Sequence, residues 1–106
     1  MFLLEEKMSK YMLLMKLTEK GACDLKGQPE VIEGGIKVFE EMGGKVIGVY
    51  ACGTLYDYVA IGEVPNDEVA ETFRRLTMSM GLVKAQFIRL FTLKEFTGLI
   101  DALKLE

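Results

Sequence analysis

The chain contains no histidine and no tryptophan, and its 106 residues include only two cysteines. Neutral imidazole is the usual transition-metal ligand and the usual general base near pH 7, so every role that requires it is closed to this sequence. Cys23 and Cys52 form no CxxC pair and lie in a chain with seven methionines. This argues against a disulfide framework or a zinc ribbon, and a reducing, cytoplasmic setting is expected. No apolar run approaches the roughly 20 residues needed to cross a bilayer. Phe2-Leu3-Leu4 is followed at once by Glu5-Glu6-Lys7, which is too short and wrongly flanked for a secretory signal. An excess of positive charge is also missing. Thirteen basic against sixteen acidic residues leave a net charge of −3 with no block of one sign, so there is no electrostatic footprint for a phosphate backbone.

What is present is half apolar and long enough for one domain with a core that buries roughly two-thirds of the unfolded surface. "KYMLLMKLT", residues 10 to 18, reads as a strand buried on both faces. Pro29 suits the first turn of a helix in which Val31, Ile32, Ile36, Phe39 and Met42 recur at helical spacing, and Gly43-Gly44 stops it. Gly34-Gly35 inside that helix costs about 1 kcal/mol per glycine relative to alanine, which suggests a close approach of backbones there. "KVIGVYAC" (45 to 52) and "YDYVAIGEV" (56 to 64) make two further strands. The short loop between them marks an antiparallel hairpin. Asn66 or Asp67 caps a second helix carrying Val69, Ala70, Phe73, Leu76 and Met80, and Gly81 ends it. "VKAQFIRLF" (83 to 91) alternates as a fourth strand. Thr92 and Glu95 have capping-box spacing before a last helix with Phe96, Leu99, Ile100 and Leu103 on one face.

The order βαββαβ plus a C-terminal helix is that of an α+β, ferredoxin-like antiparallel sheet. Right-handed crossovers place both connecting helices on one side and leave the other side of the sheet bare. Neither side is polar: Tyr11, Leu13, Met15 and Leu17 oppose Met12 and Leu14, while Tyr56, Tyr58 and Ala60 oppose Val59 and Ile61. In the fourth strand Ala85, Phe87 and Phe91 oppose Ile88 and Leu90. Several hundred Å² of contiguous apolar surface exceeds what monomers usually expose. A second copy is expected to cover it, giving a dimeric α+β barrel with space for a ligand between the sheets. The last helix is free either to swap onto the partner or to cap a sheet edge.

Four stretches, "KYMLLMKLT", "IEGGIKVFEEMGGKV", "YDYVAIGEVPNDE" and "GLVKAQFIRLFTLKEF", resemble in order and interval the GYD domain family, from about Lys10 to about Ala102. The resemblance implies a ferredoxin-like fold that associates, and it names no reaction. Tyr56-Asp57 match the family's Gly-x-Tyr-Asp signature, but Thr54 occupies the glycine position and the glycine lies one residue earlier, at Gly53. Family members typically begin near "MSKYMLLMKLT", which points to Met8 as the start. That start would make residues 1–7 an extension or an artefact; the expected domain division is 1–9 as N-terminal extension and 10–106 as one GYD-like α+β domain.

Tyr56 and Asp57 are adjacent on a strand, so they point to opposite faces and do not form an acid–base dyad without a bulge. Asp57 is expected to accept backbone N–H groups at the hairpin, and Tyr56 to bury its ring with the hydroxyl satisfied. The candidate ligand-binding set is Tyr50, Tyr56, Tyr58 and Arg89: tyrosines grouped by strand parity, and a guanidinium beside Phe87 and Phe91. That set suits a small aromatic or carboxylate-bearing compound. The structural alternative pairs Arg89 with Asp57 or Glu63, or leaves it at the barrel rim. Lys16 reads as a solvated strand end. "GGKVIG" leads into a strand and lacks the Lys-Ser/Thr of a phosphate loop. Cys52 has no histidine or evident cation beside it in the sequence and reads as an inert small residue.

These readings favour a homo-oligomeric small-ligand-binding or accessory module with no cofactor and no metal. The alternative is a cofactor-independent enzyme, an isomerase or monooxygenase, in which a tyrosine hydroxyl donates and Arg89 holds an anionic substrate. Nucleic-acid binding through the sheet aromatics is disfavoured by the charge and by the expected burial of that face.

Overall fold

In the computed structural model, which describes residues 8–103, four strands and four helices follow one another. They are β1 (Ser9–Leu17), α1 (Glu19–Ala22), α2 (Gln28–Glu41), β2 (Lys45–Ala51), β3 (Tyr58–Val64), α3 (Asp67–Ser79), β4 (Val83–Leu90) and α4 (Leu93–Leu103). The expected N-terminal extension falls mostly outside the described residues. Ser9 already pairs with Val64 at the start of β1.

The local signals explain where the elements begin and end. The Thr18 hydroxyl accepts from the Gly21 N–H to start the single turn of α1. Pro29 lies in the first turn of α2, where its missing N–H has no partner to lose. The Asn66 side chain accepts from the Val69 N–H and caps α3. Thr92 and Glu95 exchange reciprocal bonds of 2.8 and 3.0 Å ahead of α4, completing the capping box. Gly43 and Gly81, with φ of 93° and 73°, turn the chain out of α2 and α3 in a conformation that residues with a Cβ rarely adopt.

The sheet runs β2-β3-β1-β4 with every neighbouring pair antiparallel, which is the ferredoxin-like arrangement. α2 leans on β2, and α3 on β4 and β3. Leu13, Phe39, Val64, Ala70 and Phe73 form the core, with Tyr11, Met15, Ala60 and Phe87 packed against it. Odd residues of β1 and β4 and even residues of β3 therefore face the helices. The opposite residues line up across the bare side, Ile61–Met12–Ile88 in one row and Val59–Leu14–Gln86 in the next. A bulge between Val46 and Gly48 resets the parity of β2, so that Val46 and Val49, three residues apart, both reach the helix side.

Two expectations need correction. A Cβ at Gly34 or Gly35 would meet nothing within 4 Å, so these glycines serve no close backbone approach. The close approach occurs instead at Gly21, where a Cβ would run into the Leu82 carbonyl. The third strand also starts later than expected, at Tyr58, because residues 56–57 belong to the connection.

α4 buries none of its residues, and Phe96, Leu99, Ile100 and Leu103 are all exposed. The Cα radius of gyration, 16.0 Å, exceeds the roughly 13 Å of a compact chain this long. The capping box makes the helix, and among the described residues nothing buries its apolar stripe.

Candidate functional site

The connection from β2 to β3 delivers the Tyr-Asp pair. Asp57 Oδ2 accepts from the Leu17 N–H at 2.8 Å, just where β1 runs out of sheet partners on that side. Its backbone N–H donates to the Met15 carbonyl at 2.9 Å, and its carbonyl accepts from the Cys52 N–H at 2.9 Å. One residue thereby ties the connection, the end of β2 and the end of β1 together. The Asp57 carboxylate does accept a backbone N–H, but from β1 and not, as expected, at its own hairpin. Tyr56 turns to the other side, its hydroxyl donating to Gln86 Oε1 at 3.0 Å on the bare face.

Arg89 stands at the far end of the sheet. It pairs in register with Tyr11, four residues along β1 from the Met15 that faces Tyr58, or about 13 Å at 3.3 Å per residue. Its carboxylate partner is Asp67, at 3.5 Å, not Asp57 or Glu63. Its Nη1 donates to the Leu90 carbonyl, and its guanidinium lies 4.5 Å from the Phe91 ring centroid. Tyr11 donates its hydroxyl to the same Asp67 oxygen at 2.7 Å. Burial first, and then the bond to Asp67, push the Tyr11 phenol up to about 12. The Tyr11 hydroxyl, aided by Ser9 and Arg89, holds the Asp67 carboxyl below its usual value. This cluster fastens the start of α3 to β1 and β4, and its groups satisfy one another.

The helix side holds the more suggestive feature. α2 and α3 meet where Phe39 and Phe73 pack edge to face, with centroids 4.9 Å apart. Towards the N-terminus of α2 and the C-terminus of α3 they part over the sheet. The gap is an apolar cavity of about 120 Å³ with Ile32, Gly35, Ile36, Ala60, Thr77 and Met80 in its walls. Gln28 and Tyr58 stand at its edge and also border an outer hollow of about 470 Å³ that includes Leu25, Glu33 and Tyr50. Gln28 is 6% exposed, and its Nε2 donates to the Gly21 carbonyl at 3.1 Å. The Tyr58 hydroxyl reaches Gln28 Oε1 only at 3.5 Å, long for an O–H···O bond.

A comparison with family models matches the GYD domain over residues 11–100. The chain belongs to the GYD domain family. No curated protein matches it. In this GYD domain the signature tyrosine and aspartate are read directly from the hairpin. Asp57 secures the connection to β1, and Tyr56 braces β4 through Gln86. Among the described residues no helix is long and apolar enough to cross a membrane, and no group of three or more acidic or cysteine side chains is placed to share a metal ion.

The four tyrosine and arginine positions singled out in the sequence are not gathered into one place. Tyr50 and Tyr58 both border the outer hollow, but Tyr50 pairs with Val59 and lays its ring beside Gly48 on the bare side; Tyr56 bonds across the bare face, and Arg89 sits with Asp67 at the other end of the domain. Tyr56 and Tyr58 were expected to share a face. They do not, because residue 56 precedes the strand and escapes its alternation. Sequence reasoning passed over Gln28. A lone glutamine before Pro29 carries no chemical pattern, and its burial against Gly21 and Tyr58 exists only once the loop has folded.

Proposed function

We propose that this GYD domain is a homo-oligomeric module that binds a small ligand. The observation that carries the reading is the bare side of the sheet. Met12, Leu14, Val59, Ile61, Ile88 and Leu90 lie contiguously there, on the side away from the core that α2 and α3 build among the described residues. Four strands about 4.8 Å apart and six residues at about 3.3 Å each give this face roughly 400 Å². A standard interface takes about 800 Å² from each partner. The apolar stripe of α4, Phe96, Leu99, Ile100 and Leu103, supplies a second surface of matching character. The reading therefore pairs two sheets face to face, with α4 of each copy extending over the other. The ligand half of the reading is supported by the cavity between the helices and the sheet, which Tyr58 borders.

Light scattering on the full chain at micromolar concentration tests the association. The expected mass is a dimer or a multiple of it. Met12→Glu, which places a carboxylate at the centre of the Ile61–Met12–Ile88 row, is expected to give a folded monomer. A wild-type monomer would end the proposal.

A further inference from the structure

The wall of the inner cavity contains no charged side chain, and Glu33 is the one ionisable group with a formal charge at neutral pH around the outer hollow. Arg89, the cation that an anionic ligand would need, is bonded to Asp67 at the opposite end of the sheet. An anion entering the gap would lose its hydration and gain no counter-charge. The polar side chains that line the gap are neutral: the Gln28 amide, oriented by its bond to Gly21, the weakly engaged Tyr58 hydroxyl, and Thr77. The gap is also comparable with an apolar protein cavity of roughly 150 Å³ that stays dry and accepts benzene. Gly35 completes the picture. A helix interior disfavours glycine, yet the space in front of this one is empty and opens on the cavity.

We infer that the gap between α2, α3 and the sheet is a binding site for a small, uncharged, ring-sized apolar molecule bearing one hydroxyl or carbonyl group. Its apolar body fills the space beside Gly35, Ile36 and Thr77, and its polar atom bonds to Tyr58 Oη and Gln28. The outer hollow at Leu25 and Tyr50 is the way in. This inference rests on the ligand half of the functional reading and replaces a carboxylate-bearing ligand with a neutral one.

The test uses the full chain, with p-cresol, toluene and benzoate as probes, followed by calorimetry and thermal unfolding. The expected result is saturable binding of p-cresol with a concentration-dependent rise in Tm, weaker binding of toluene, and no shift with benzoate at the same concentration. Tyr58→Phe is expected to weaken p-cresol about tenfold and to leave toluene unchanged. Gly35→Leu fills the space with a residue that favours helix, so it is expected to fold at least as well and to bind none of the probes. Absence of binding by all three overturns the inference, as does benzoate binding as tightly as p-cresol, or unaltered binding by Gly35→Leu. Light scattering on the same samples separates the two readings. A dimer that binds nothing overturns the site and leaves the association. A monomer that binds p-cresol supports the site and overturns the association.

Discussion

Replacing Asp57 with alanine tests whether the signature carboxylate is a structural cap. The substitution removes the acceptor 2.8 Å from the Leu17 N–H and leaves the two backbone bonds of residue 57 formally intact. A hydrogen bond to a charged acceptor contributes about 1.5–3 kcal/mol net, and the orphaned N–H of a part-buried strand end adds to the loss. A destabilisation of about 2 kcal/mol is therefore expected. In a domain of this size each kcal/mol moves Tm by about 4–8 °C, so Tm should fall by roughly 10 °C. Asp57→Asn keeps an acceptor oxygen but loses the charge, and about half the effect is expected. Urea unfolding followed by circular dichroism measures both variants, with m unchanged if the transition remains two-state. A loss below about 0.5 kcal/mol for Asp57→Ala would refute the capping role and return this carboxylate to the list of candidate functional groups. Ligand binding at the inner cavity should survive the substitution, because Asp57 does not line it.

Phe39→Ala removes the ring that closes the meeting point of α2 and α3 against Phe73 and is 5% exposed. Its expected cost is about 3–5 kcal/mol by denaturant unfolding, together with a cavity continuous with the existing gap. The pH dependence of stability should fall away at both ends. The Tyr11 phenol, raised to about 12 in the folded state from 10.0, contributes stability that is complete below pH 10 and is lost as the pH rises towards 12. Tyr11→Phe should remove that alkaline decline in Tm. Asp67 and Glu71 have lowered pKa values, Glu71 to about 2 through its bonds to Arg74 and Arg75. Their contribution is present above the ordinary carboxylate range and is lost as the pH falls through the folded values, so Tm should decline below about pH 4.5. A flat acid limb in thermal melts would show that these exposed contacts do not persist in solution.

Much of the scaffold was legible in the chain because it depends on neighbours in sequence. Capping oxygens at Asn66 and Thr92, glycine stops at Gly43 and Gly81, and the apolar recurrence around Phe39 and Phe73 act within one or two turns. Alternation in β1 likewise separated Leu13 from Met12 and Leu14 without any knowledge of what would cover either side. The family motif was legible only as part of a β2–β3 connection, since the N–H that Asp57 accepts belongs to Leu17 of β1, 40 residues away in sequence.

The site was far less legible, for reasons that are all non-local. The bulge at β2 and the late start of β3 change which face each tyrosine takes, and alternation alone contains neither. Arg89 takes Asp67 because β4 and the start of α3 converge beside Tyr11, 22 residues apart in sequence but 3.5 Å apart in space. The emptiness in front of Gly35 is a property of how far two helices diverge over a sheet, and no residue type encodes a gap. Composition, by its lack of histidine and of excess positive charge, determined which chemistries were closed. Tertiary packing decided where the remaining polar groups stand, because a buried amide such as Gln28 acquires its meaning only from the partners that folding brings to it.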